Sequence, residues 1–426
     1  MTENQAGLIY LLASALGGIP PEPAVLRRMN IPEIAREAAR HSVSAMCCAA
    51  LASAGVYDSH GGSDGLHSAS DKSRNVASDG IVASDEATAR ALAQLRERRE
   101  KSVRKIMLLD CERAAILAEL DRAKIWHTTL KGIGIKQLYP AVGMREMSDN
   151  DILFDPKGRA QVRDIMIGRG YTVSSYGTYH HDTYTRAPIY NYEMHVDLIA
   201  PDCIGLFQNY FSTISERLIW DDTSPDRSCY ARRMTPADEY AYTLAHIRKH
   251  LLSHGTGIRS LCDIYVIARA KGGKPDAETA ELLRRIGLDG LEALFRRAAY
   301  ALFSEPVQPD MLSQRLDEDL MQIVDLCLSC GTYGNISYSI INDIMAHSSG
   351  DRLTLLGRLG YLRRRAFPPA SWFRRHYDFL DRRPYLIPFF ALRRLTYKAF
   401  GARRRLGREI RALREVKDRE GGNRLP

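Results

Sequence analysis

No stretch of the 426-residue chain approaches the 18 or so consecutive apolar residues that a membrane-spanning helix needs, which excludes a helical span. The opening segment MTENQAGLIYLLASALGG has a short apolar run, but it carries an acid where a signal peptide carries positive charge, so a cytoplasmic protein is expected. Cysteine supplies no metal framework. Cys47, Cys48, Cys111 and Cys262 fall in apolar helical patterns that suit buried, reduced thiols, and Cys327 and Cys330 form a lone Cys-x-x-Cys without a second pair or a nearby His. Those spacings argue against zinc. There is no internal repeat. Acidic residues are scarce at one end: positions 351 to 426 hold 21 Lys/Arg against 7 Asp/Glu, although the whole chain is only +9. The basic character therefore belongs to the C-terminal region, and the remainder is net acidic.

What is present reads as an ordinary globular chain, 45% hydrophobic and 26% charged, long enough for two or three domains. Residues 1–57 show helical periodicity that buries Ile34, Ala38, Val43, Met46 and Ala50 at three- and four-residue steps. Residues 58–85 are Ser/Gly/Asp-rich with almost nothing to bury, as in a disordered insertion. Helical patterning returns over 86–124 as one long or two consecutive helices, and 125–200 alternates strand and helix signals. In that unit IWHTTL, NDILF, YTVSSY and IYNYEMHVDLI read as strands, the last two as a hairpin, while IGIKQLY and KGRAQVRDIMIGRG read as helices. Residues 201–350 are helical again, with Thr235 as N-cap, Pro236 at the first helical position and Asp238 three residues after the cap. Residues 351–426 form the basic aromatic C-terminal region.

The chemistry concentrates in the middle. In MREMSDNDILFDP, Asp149 and Asp151 are two residues apart, so an extended strand points both the same way. Two adjacent carboxylates repel unless a cation lies between them, and Mg²⁺ is the hard divalent ion such a pair attracts. On the repulsion argument alone, removing both charges should stabilise the metal-free protein. The competing interpretation is a solvated Ser-Asp-Asn turn. The same alternation puts Glu193, His195 and Asp197 on one face of YEMHVDLI, either converging with the Asp pair or forming the wet side of a half-exposed strand. In TTLKGIGIKQLYP a strand ends at Lys131 and Gly132, where a charge and a close backbone approach suit phosphate, although Gly here is also ordinary turn punctuation.

The order of LKGIGIKQLYP, MREMSDNDILF and YEMHVDL resembles the nucleotidyltransferase core shared with DNA polymerase beta. More closely, it is similar to the bacterial family of uncharacterised nucleotidyltransferases, whose pattern is LKG, a Tyr-Pro, an Arg, an Asp-x-Asp and a later Glu-x-His. Flanking stretches IAREAARHSVSAMCCAAL, ADEYAYTLAHIRKH and IRSLCDIYVI extend the similarity over most of Leu8 to Ile267. The resemblance implies an α+β fold, a small mixed nucleotidyltransferase sheet between N-terminal and C-terminal helical regions. It implies Asp149, Asp151 and Glu193 as metal ligands and catalytic carboxylates for Mg²⁺ or Mn²⁺, with Lys131 and Gly132 toward the phosphates of an NTP such as ATP, and Arg145 and Ser148 either binding phosphate or bracing the loop. Lys131 and Gly132 stand where the wider superfamily has Gly-Gly or Gly-Ser, and Asn150 replaces the usual apolar residue between the two Asp. The implied reaction is transfer of a nucleoside monophosphate to an unidentified acceptor. The alternatives are a catalytically inactive nucleotide-binding or scaffold protein and a toxin-like RNA nucleotidyltransferase.

His246, His250 and His254 recur every four residues in HIRKHLLSH. No acid lies between them and one helix cannot surround an ion, so His246 and His250, like His195 and Asp197, are candidates for packing or substrate-side hydrogen bonds. In the basic tail, arginines interleave with Trp372, Phe373, Tyr377, Phe389 and Phe390. That composition suits an anionic membrane surface, with the protein peripheral at its inner face, or RNA, or an Arg-rich helical region packed on the core.

Overall fold

The first helices form as their periodicity predicts. They are α1 (Glu3–Gly17), opened by a capping box between Thr2 and Gln5, α2 (Pro23–Leu26), α3 (Ile31–Arg40) and α4 (Ser44–Ser53). Ile34, Ala38, Val43, Met46 and Ala50 are all buried. The computed structural model describes residues 1–57, 85–199, 206–221, 230–332, 334–335, 338–340, 342–343, 360, 363, 367–370, 373–374, 377–380 and 382–401. The expected insertion at 58–85 lies outside them except for Asp85, whose side chain accepts from the Thr88 backbone N–H and caps α5 (Glu86–Arg122), a single helix of 37 residues. Cys111 on α5 is exposed, not buried. It sits two residues past the buried Leu109, about 200° round the helix, and so faces solvent.

The sheet follows. Its elements are β1 (His127–Thr129), a single turn α6 (Gly132–Ile135), β2 (Asn150–Phe154), α7 (Arg159–Gly168), β3 (Thr172–Ser175), β4 (His181–Arg186) and β5 (Tyr190–His195). The strand order is β1-β2-β5-β4-β3, with β2 parallel to β5 and every other pair antiparallel. The hairpin partner of β5 is β4, not β3. Sequence reasoning passed over β4 because HDTYTR puts an acid where a core strand has an apolar residue. Asp182 is fully buried there, neutralised by the forked guanidinium of Arg159 at 2.6 and 2.8 Å.

Alternation along the central strands separates two faces. Ile152, Phe154, Tyr192 and Met194 pack with Ile116 and Leu120 of α5 and Val162 and Met166 of α7. The opposite face carries Asp151, Leu153, Glu193 and His195, and Leu153 joins a second, larger core. That core contains residues of α1, α3 and α4 together with α8 (Leu206–Phe211), α9 (Pro236–Ser253), α10 (Ile258–Ala270), α11 (Ala277–Arg285), α12 (Asp289–Phe303) and α13 (Glu318–Cys330). The helical segments before and after the sheet thus share one apolar interior. Thr235 caps α9 as expected, accepting from the Asp238 N–H. In the basic region, Phe373 and Leu380 are buried whereas Phe379, Tyr385, Phe389 and Leu392 are exposed; Trp372 and most of its arginines lie outside the described residues. Among the described residues no helix is long and apolar enough to cross a membrane.

Candidate active site

Parallel pairing of β2 with β5 sets Asp151 directly beside Glu193, both on the face away from α5 and α7. Two residues on, alternation returns His195 to that face. His195 Nε2 lies 3.1 Å from Asp151 Oδ1 and 3.5 Å from Glu193 Oε2, while its Nδ1 lies 3.3 Å from the Asp197 carbonyl oxygen. Lys131, reaching across from the end of β1, places Nζ 2.9 Å from the same Asp151 oxygen. Burial alone would raise the Asp151 carboxyl, but Lys131 and His195 prevail and hold it well below the usual carboxylate range. Burial likewise penalises the Lys131 ammonium, and Asp151 more than restores it, so its pKa is raised. Both shifts describe one buried ion pair. Donor atoms of Asp151, Glu193 and His195 lie within 4.8 Å of one another.

Asp149 lines the same cleft, but it belongs to neither compact set of ligand atoms among the described residues. Its oxygens accept from Asn191 Nδ2 at 2.7 Å and Ser148 Oγ at 3.1 Å. Asp197 falls past the end of β5, and its side chain is not part of the cleft wall.

The Lys131-Gly132 turn has two demands. Lys131 takes φ 53°, a conformation that costs a residue with a side chain about 1–3 kcal/mol, here against the anchoring of its ammonium on Asp151. Gly132 is set by an arginine: a Cβ there would lie 2.9 Å from Arg145 Cζ and nearer still to Nη1. Arg145 is buried and forks onto Asp263 at 2.8 and 2.9 Å, and Asp263 also accepts from Tyr139 at 2.7 Å. Of the two roles open to Arg145, its geometry is that of a brace. Gly132→Ala is therefore expected to displace the guanidinium and destabilise the protein by about 1–3 kcal/mol; urea unfolding measures it, and an unchanged midpoint would refute the packing argument.

Helices α9 and α10 build the opposite wall. Tyr242, His246, Lys249 and His250 recur at the three- and four-residue steps of one helical stripe, and Arg259 joins them from α10. The cleft between this wall and the carboxylates encloses about 320 Å³. His246 and His250 touch through their Nε2 atoms at 2.9 Å, so one ring donates and the other accepts. Burial, joined by Lys131 at His246 and by Lys249 at His250, lowers both, His250 to about 4. Burial raises the Tyr242 hydroxyl to about 12. Sequence reasoning missed Tyr242, Lys249, Arg259, Asp263, His180 and His181. The available signal for Tyr242 and Lys249 was a polar stripe on the inward side of α9, and for Arg259 and Asp263 their four-residue spacing on α10.

Residues 27–304 match the sequence model of a family described as uncharacterised nucleotidyltransferase. The chain belongs to this family. No curated protein and no solved structure matched. The matched segment of this nucleotidyltransferase family member contains the whole acidic cluster, the Lys131-Gly132 turn and the α9 wall; of the described residues lining the cleft only Thr332 lies beyond it.

Proposed function

We propose that the protein transfers a nucleoside monophosphate from an NTP to an acceptor hydroxyl or phosphate, with release of pyrophosphate and dependence on Mg²⁺ or Mn²⁺. The observation that carries this reading is the pairing of Asp151 with Glu193 at one level of adjacent parallel strands, facing a wall that carries Lys249 and Arg259. The donor set fits a hard divalent cation. It offers carboxylate oxygens, and Asp151 already holds the positive charge of Lys131 in a buried contact. Asp151 and Glu193 would hold the ion, with Asp149, which lines the same cleft outside their compact set, as the further carboxylate; when bound the ion supplies Lewis-acid polarisation and neutralises triphosphate charge.

The protein's own groups supply the rest. Glu193, half-buried at the cleft, accepts the proton of the attacking hydroxyl. Lys131 keeps Asp151 ionised. Lys249 and Arg259 receive the triphosphate from the far side, and the neutral His246–His250 pair offers it a donor without adding charge. Arg145 holds the turn on which Lys131 stands.

All four NTPs, labelled at the α-phosphate, incubated with Mg²⁺ or Mn²⁺ and a cell extract, test the reading; metal-dependent movement of label onto an acceptor is expected. Glu193→Gln should lower that transfer by about 10²–10⁴-fold, the range for removing a general base. Asp197→Asn, outside the cleft wall, should change it by no more than a few-fold. A larger loss at Asp197 would show that the base has been assigned to the wrong residue of the strand.

A further inference from the structure

Three imidazoles meet beside the carboxylates, and the transfer reaction has no use for two of them. His181 opens β4 directly opposite His195 at the end of β5. His180 precedes it, its backbone pinned where its carbonyl accepts the N–H groups of Val196 and Asp197. The ring centroids stand 4.6 Å apart for His180 and His181, 5.0 Å for His181 and His195, and 5.5 Å for His180 and His195. One ring nitrogen from each lies within 4.8 Å of the others.

Several features distinguish this cluster from a packed group of satisfied rings. His180 is only 7% exposed, yet its Nδ1 has no hydrogen-bond partner among the described residues. His195 has its Nδ1 at a backbone carbonyl, the arrangement that orients the other nitrogen of a metal-ligating imidazole. The Glu193 carboxylate lies between two of the rings, Oε1 3.9 Å from His181 Nε2 and Oε2 3.5 Å from His195 Nε2.

Imidazoles with one carboxylate suit borderline divalent ions such as Zn²⁺, whereas Mg²⁺ takes oxygen. A tetrahedral ion with Zn–N of about 2.0–2.1 Å needs its donors roughly 3.3 Å apart. The rings must therefore close by roughly 1.5 Å at most, within reach of side-chain rotation.

We propose that His180, His181 and His195, with Glu193 as fourth ligand, form a site for a Zn²⁺-class ion. It is chemically distinct from the oxygen site at Asp149 and Asp151 but shares Glu193 with it. The binding claim stands without the transfer reaction; only its consequence, that the ion withdraws Glu193 and inhibits transfer, rests on that reading.

The full-length protein, stripped with a chelator and desalted, should bind one equivalent of Co²⁺ with a visible ligand-field band, which Zn²⁺ abolishes and a large excess of Mg²⁺ does not. Changing His180 and His181 together to Gln should weaken binding by more than the roughly 10–100-fold that loss of an outer partner costs. Asp149→Asn should leave the band unchanged. If the double variant loses its circular-dichroism signature of folding, His181→Gln alone, on a half-exposed ring, carries the same comparison. Absence of stoichiometric Co²⁺ and Zn²⁺ binding by the native protein, or binding as tight in the folded His variants, would overturn the proposal. Zn²⁺ bound with no NTP turnover under any condition would uphold it while removing the transfer reading.

Discussion

Replacing Asp149 and Asp151 together by Asn is expected to reduce metal-dependent nucleotide transfer by on the order of 10³-fold or more, the scale set by losing several kcal/mol of charge stabilisation. The structure reverses the accompanying expectation for stability. Two repelling carboxylates would make the double variant more stable without metal, but Asp151 is held by Lys131 at 2.9 Å and Asp149 by Asn191 at 2.7 Å. Removing the Asp151 charge leaves the Lys131 ammonium, 16% exposed, without its counter-charge. A loss on the order of 3 kcal/mol is expected, since breaking a buried ion pair strands the survivor. Label transfer and denaturant unfolding of the same preparations measure the two effects. Turnover equal to that of the native protein would remove the carboxylates from the mechanism, and a raised unfolding midpoint would remove the Lys131–Asp151 pair from the stability account.

Arg145→Met should be the most damaging single change to the fold near the site, by about 3–5 kcal/mol, because it strips the buried Asp263 side chain of its forked partner and leaves Tyr139 as its side-chain hydrogen-bond donor among the described residues. Arg145→Lys should recover little. An ammonium cannot reproduce the two parallel bonds of 2.8 and 2.9 Å that the guanidinium makes. Urea unfolding of the two variants beside Asp263→Asn provides the measurement. If Arg145 instead acted as a phosphate ligand, Arg145→Met would keep its stability and lose NTP affinity, the reverse of the expected pattern.

Much of this protein was determined by the sequence locally. Helix α9 begins where Thr235, Pro236 and Asp238 place a cap, β2 spans the five residues of NDILF, and Asp151 stands on β2 and Glu193 and His195 on β5, with Asp149 one residue before β2. Each of these depends on neighbours within a few positions, where backbone propensity and side-chain periodicity decide the outcome. Contacts between elements follow instead from how the whole chain packs. The parallel register that brings His195 to Asp151 spans 44 residues, and the fork of Arg145 onto Asp263 spans 118. The strand β4 escaped notice because its buried Asp182 is acceptable only with Arg159 folded against it. Gly132 likewise reads in sequence as a turn or a phosphate contact, but the group that forbids a Cβ there is the guanidinium of Arg145. Spacing along a chain specifies which face a side chain takes; which other face it meets depends on strand order and helix docking, and these are set by burying the shared core as a whole.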